Sequence, residues 1–115
     1  MLKTASVLLG LTAAGGLLMA IQRFSGAERP PSWLAMVHGL LAGAGLTLLL
    51  YAGFTAGLPT LTWTGIALLA VAALGGVYMN LGFHVKLLPI PKNIIVIHAV
   101  LAVAGFGLIL WTLLR

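Results

Sequence analysis

The sequence predicts an all-α protein, a transmembrane four-helix up-down bundle made of two tandem parallel-repeat helical hairpins. Three observations predict it. Of 115 residues, 62% are hydrophobic and only 6% charged, against about 25% charged in soluble domains. Four apolar stretches each approach the roughly 20 residues that a helix needs to cross a bilayer core. The chain also matches itself, without gaps, at an offset of sixty residues.

The four spans run over about 4–22, 33–55, 61–82 and 93–114. In hydrocarbon every backbone polar group must be paired internally, so each is a helix. Gln22-Arg23 through Pro30-Pro31 separates the first two, and the proline pair starts the second. Gly57-Leu58-Pro59-Thr60 is a short turn. Lys86 through Pro91-Lys92 is a second polar connection. Short connections make neighbouring helices antiparallel. Lys3, an apolar run and small residues resemble a secretory leader, but span 1 duplicates span 3 and is therefore expected to remain as structure.

At the common offset, Gly15-Gly16 matches Gly75-Gly76, Met19 matches Met79, Pro31 matches Pro91 and His38 matches His98. Leu41, Ala42, Ala44 and Gly45 match Leu101, Ala102, Ala104 and Gly105. Matched Leu and Ala carry little weight in so apolar a chain; a matched His, Pro, Met and glycine pair carry more. One domain, 1–115, thus contains repeat 1 (1–55) and repeat 2 (61–115). Each unit crosses twice, so both enter from the same face and are related by a pseudo-two-fold axis along the membrane normal.

His38 and His98 lie at one depth, roughly 8 Å inside their helix starts. Ionisable groups in a membrane are rare and usually functional, although two histidines separately hydrogen-bonded to neighbouring helices remain the plainer alternative. A lone metal ion would find only two nitrogen ligands where zinc takes four, and no Asp, Glu or Cys stands nearby. A haem iron already has four porphyrin nitrogens and needs two axial ligands. The expected cofactor is therefore one non-covalent, bis-His haem b, with His38 and His98 on the iron. Ala42, Gly45, Ala102 and Gly105 lie on the histidine faces at i+4 and i+7, and they and Gly15, Gly16, Gly75 and Gly76 could flank a flat macrocycle. Close helix packing is the competing role for each. Met19 and Met79 are expected at the cofactor edge or as core filling. Arg23, Arg29, Lys86 and Lys92 could meet propionates, or simply set topology.

The segments His38-Gly-Leu-Leu-Ala-Gly-Ala-Gly and His98-Ala-Val-Leu-Ala-Val-Ala-Gly make spans 2 and 4 resemble the b-type membrane cytochromes, in which antiparallel helices present histidines and glycines to haem. The resemblance is architectural and implies electron transfer with a redox partner protein or a quinone, as a carrier or as a subunit of a redox complex rather than a stand-alone enzyme. With one histidine on each of spans 2 and 4, it implies one haem rather than two.

A cofactor-free structural or accessory subunit, a pigment-binding subunit and a small transporter are the competing classes. No span contains Asp or Glu, and Glu28 is the one acid, which weighs against a proton-coupled exporter. His84, matched by Phe24, is expected at the interface in water, with a proton-relay or second-ligand role as the alternative. Trp33, Trp63, Trp111 and Tyr51 are expected in aromatic belts, and Tyr78 and Asn80 either at the headgroups or near a cofactor. The net charge of +5 is read as lipid anchoring rather than nucleic-acid binding. Absence of Cys excludes thiolate sites and covalent haem attachment. The expected location is a bacterial or archaeal inner membrane, as a homo-oligomer or within a larger complex. Arg23, Arg29, Lys86 and Lys92 place loops 23–32 and 83–92 on the cytoplasmic side by the positive-inside rule.

Overall fold

A computed structural model describes all 115 residues. It is all-helical, with α1 Leu2–Phe24, α2 Ser32–Ala56, α3 Thr60–Met79 and α4 Lys92–Leu114. A π turn, Asn80–His84, extends α3. The four spans are long and apolar enough to cross a membrane, and the chain is a transmembrane four-helix bundle with extents of 42 × 19 × 19 Å.

Proline sets three of the four helix starts. Pro31, Pro59 and Pro91 sit immediately before α2, α3 and α4 with φ of −57°, −58° and −61°. Their rings hold φ near the helical value while lacking the N–H that a first turn would leave unpaired. Their carbonyls start the helical ladder: Pro31 O accepts from Leu34 and Ala35, Pro59 O from Thr62 and Trp63, and Pro91 O from Ile95. Gly57 ends α2 with φ +76°, a left-handed backbone that favours glycine.

Helix α1 packs along α2, and α3 along α4; the hairpins meet less extensively through α1–α4 and α2–α3. This leaves α2 and α4 diagonal to one another. The main buried cluster joins Ala5, Leu9, Leu49, Ile66, Leu69 and Ile109. All six come from the half of the bundle nearer the chain termini and the 57–59 turn. Thr62 and Thr112 join there by a 2.7 Å hydroxyl–hydroxyl hydrogen bond. Outward positions such as Leu40, Phe54, Leu74 and Val103 are about 70–80% exposed (68%, 79%, 70% and 71%), the apolar exterior that lipid rather than water solvates.

Glycines bring the helices of each hairpin close. A Cβ on Gly65 would lie 2.9 Å from the Gly105 carbonyl, and one on Gly105 would lie 2.8 Å from the Gly65 carbonyl. A Cβ on Gly45 would meet Leu9 at 2.8 Å. Gly45 and Gly105 are therefore helix-packing positions within their own hairpins, the role set beside flanking a macrocycle in the sequence reading. Trp63 lies at the start of α3, with its ring half-buried, packed against Gly53 and edge-on to Phe54 at 5.2 Å. Trp33, Tyr51, Tyr78 and Trp111 are exposed.

The two longer loops are bound to each other. Arg23 Nε donates to Ile90 O at 2.9 Å, Arg29 donates to Leu87 O at 2.9 Å, and Ile90 N donates to Glu28 O at 3.1 Å. The two arginines thus staple the loops through backbone carbonyls, a role beside the two considered for them, propionate pairing and topology. Lys92 places its Nζ 5.5 Å from the centre of the Phe24 ring, and Lys86 is exposed.

Candidate histidine-pair site

His38 on α2 and His98 on α4 approach one another across the bundle diagonal. Their ring centroids are 6.3 Å apart, with planes inclined by 62°. Each ring is first fixed within its own hairpin. His38 Nδ1 donates to the carbonyl of Thr12 on α1 at 2.8 Å, and His98 Nδ1 donates to the carbonyl of Ala72 on α3 at 2.7 Å. Thr12 and Ala72 are themselves sixty residues apart, so both bonds recur at the offset of the sequence match.

The glycine pairs explain how an imidazole reaches a helical carbonyl. In an α-helix the carbonyl of residue i already accepts from the N–H of residue i+4, but it has a second lone pair. The residues at i+4 from Thr12 and Ala72 are Gly16 and Gly76. A Cβ on Gly16 would lie 2.9 Å from His38 Cε1, and one on Gly76 would lie 3.3 Å from His98 Cε1. Gly15 and Gly75 face the same rings at 3.9 and 3.7 Å from Nδ1. The absent side chains expose the carbonyl edge and admit the ring. The four glycines expected beside a cofactor thus border the imidazoles themselves.

A carbonyl can only accept, so each Nδ1 carries the proton and each ring is held in one tautomer. The unprotonated nitrogen is then Nε2, a lone pair open to a metal. No group of three or more His, Asp or Glu side chains is placed to hold a metal ion, so a bare cation would lack ligands. Two imidazoles bonding one metal from opposite sides through Nε2, at about 2.0–2.1 Å per bond, put their centroids about 6–6.5 Å apart. The donor set therefore fits a metal that brings its other ligands with it. The main buried cluster also lies in the other half of the bundle, so no large core side chain of that cluster separates the rings.

The remaining expected residues are less tightly tied to the pair. Ala42, Ala102, Met19 and Met79 are half-buried on their helices. An apolar cavity of about 350 Å³ between α3 and α4 reaches His98 and is lined also by Gly75, Tyr78 and Ile97. His84 departs most from expectation. It is 8% exposed rather than in water, with Nε2 3.3 Å from Ser32 Oγ. The π turn produces this: Val85 N bonds back to Asn80 O, five residues earlier, at 3.0 Å. No sequence signal marks a π turn, although the unmatched histidine itself was visible.

Comparison with protein-family models, with curated proteins and with solved structures finds no match. The fold and the site geometry define a class of their own accord: a transmembrane four-helix bundle in which two diagonal helices present equivalently anchored histidines.

Proposed function

We propose that the chain holds one haem b between His38 Nε2 and His98 Nε2 and serves as a membrane electron carrier, or as the cytochrome subunit of a larger redox complex. A quinone or a redox partner protein would exchange electrons with it. The observation that carries the reading is the approach of the two rings to 6.3 Å between centroids; each Nδ1 is hydrogen-bonded to a carbonyl of the neighbouring helix, as a cofactor-free bundle also allows, and Nε2 is left as the nitrogen able to bond a metal.

Bound haem would supply one-electron exchange at its iron. The chain's own groups do the rest. The Thr12 and Ala72 carbonyls fix tautomer and ring direction and make each imidazole a stronger donor. Gly16 and Gly76 permit that arrangement. The apolar helices keep bulk water from the rings. Recurrence of the same hydrogen bond at the sequence offset favours a duplicated hairpin as the origin of the pair. The loops bearing Arg23, Arg29, Lys86 and Lys92 are proposed to face the cytoplasm.

The test is the absorption spectrum of the purified full chain, oxidised and reduced, after expression with ample haem, beside His38→Ala and His98→Ala. The wild type is expected to show a Soret band and low-spin bis-His features, and each variant to lose the low-spin features. A wild type without a Soret band, or two variants with unchanged spectra, overturns the proposal.

A further inference from the structure

The sixty-residue match fails at one place in particular, and the polar residues that break it converge there. Gln22 is matched by Gly82, Arg29 by Pro89, Ser32 by Lys92 and His84 by Phe24. All four polar members line one cavity of about 790 Å³ at the loop end of the bundle. From its residues we infer that this cavity binds the hydroxyl-bearing headgroup of a neutral amphiphile. This is independent of the haem reading.

The chemistry follows from what each group lacks. Gln22 Oε1 is shielded and has no hydrogen-bond donor, so it calls for an O–H or N–H. Ser32 and the His84 ring can each give or receive a proton in a hydrogen bond. Arg29 already has acceptors in Leu87 O at 2.9 Å and in Glu28 at 3.3 Å, and the Glu28 carboxylate weakens its attraction for an anion. A hydroxyl both gives and accepts, so it suits the whole set. The π turn delivers His84 to this cavity, and π turns are frequent at functional sites. Without the turn, the equivalent end of α1 carries Phe24, which is exposed.

The apolar part of the ligand has a place as well. Pro30, Val85 and Leu87 share the cavity wall. The cavity lies at the ends of the spans, next to exposed Trp33 and Leu88, where a membrane interface holds headgroups above acyl or prenyl tails. A benzoquinol and an uncharged, sugar-headed glycerolipid both offer this chemistry.

The experiment measures binding to the full chain in nanodiscs by native mass spectrometry. One arm titrates decyl benzoquinol into phosphatidylcholine nanodiscs, and the other adds digalactosyldiacylglycerol, an uncharged lipid with a hydroxyl-rich headgroup. Saturable binding of the quinol, weakened at least tenfold by both Gln22→Leu and His84→Phe, supports the site with a quinol-type occupant. Retained digalactosyldiacylglycerol that competes with the quinol, and that the same variants release, supports it with a lipid occupant. If either variant fails to fold, Ser32→Ala, which removes the His84 partner, is expected to weaken binding in its stead. Neither probe binding saturably, or both binding unchanged in the folded variants, overturns it. A missing Soret band leaves this readout untouched, so the two proposals fail separately.

Discussion

His38 Nδ1 and the Thr12 carbonyl, 2.8 Å apart, are joined across the first hairpin, and the bond exists because residue 16 has no side chain. His98, Ala72 and Gly76 repeat the arrangement in the second hairpin. The direction of each imidazole is therefore set by a backbone atom and a missing methyl group.

Gly16→Ala is expected to disturb its ring more than Gly76→Ala, because the added Cβ would come within 2.9 Å of His38 Cε1 but 3.3 Å of His98 Cε1. Overpacking of this kind costs about 1–3 kcal/mol. Denaturation midpoints should order wild type, Gly76→Ala, Gly16→Ala from most to least stable. Equal midpoints for the two variants contradict the geometry.

Gly105→Ala is expected to be at least as damaging although it lies far from the rings. Its Cβ would press on the backbone of α3 at Gly65 and Leu69, which yields less readily than a side chain. Loss of about 1–3 kcal/mol is the expected result and, if haem is bound, an unchanged spectrum per folded molecule. A spectral change would show that Gly105 senses the cofactor after all.

If haem is bound, truncating His98 leaves a hole of imidazole size beside the iron. Added imidazole should restore low-spin features to His98→Ala in a saturable way. Failure of rescue in a folded variant that still binds haem speaks against axial ligation by His98.

Thr62→Val, Thr112→Val and the double variant measure the 2.7 Å hydroxyl bond in the other half of the bundle. Comparable bonds between membrane helices average about 0.6 kcal/mol of coupling. A double-mutant cycle should give a value of this order, and strict additivity would show that the bond contributes nothing.

Arg23→Met removes the donor to Ile90 O. Hydrogen exchange should quicken across residues 85–91 while the spans stay protected. Since the chain has no Cys, a Ser25→Cys variant also reads orientation. The proposed topology expects labelling by an impermeant thiol reagent only from the cytoplasmic side.

The spans are legible in the sequence to within a few residues, because hydropathy and proline act locally. The pairing of His38 with His98 is legible from one offset, because both helices start after a proline and reach the same depth. The faces of Gly45 and Gly105 are not. Small residues at i+7 from a histidine satisfy either a macrocycle or a neighbouring helix, and only the position of Leu9 and of the α3 backbone decides. His84 escapes for another reason. A π turn rotates the residues after it away from the 3.6-residue pattern, so an end-of-span position read as wet becomes buried. The arginines escape because carbonyl acceptors are invisible to side-chain pattern reading.

Because each imidazole is anchored to a carbonyl of its own hairpin, neither ring depends on the other half for its orientation. Two separately expressed halves, cut at the 57–59 turn, would each arrive with a histidine already aimed. The late event in biogenesis is then the docking of two finished units, and a molecule gripped by both rings would be the clasp that closes them.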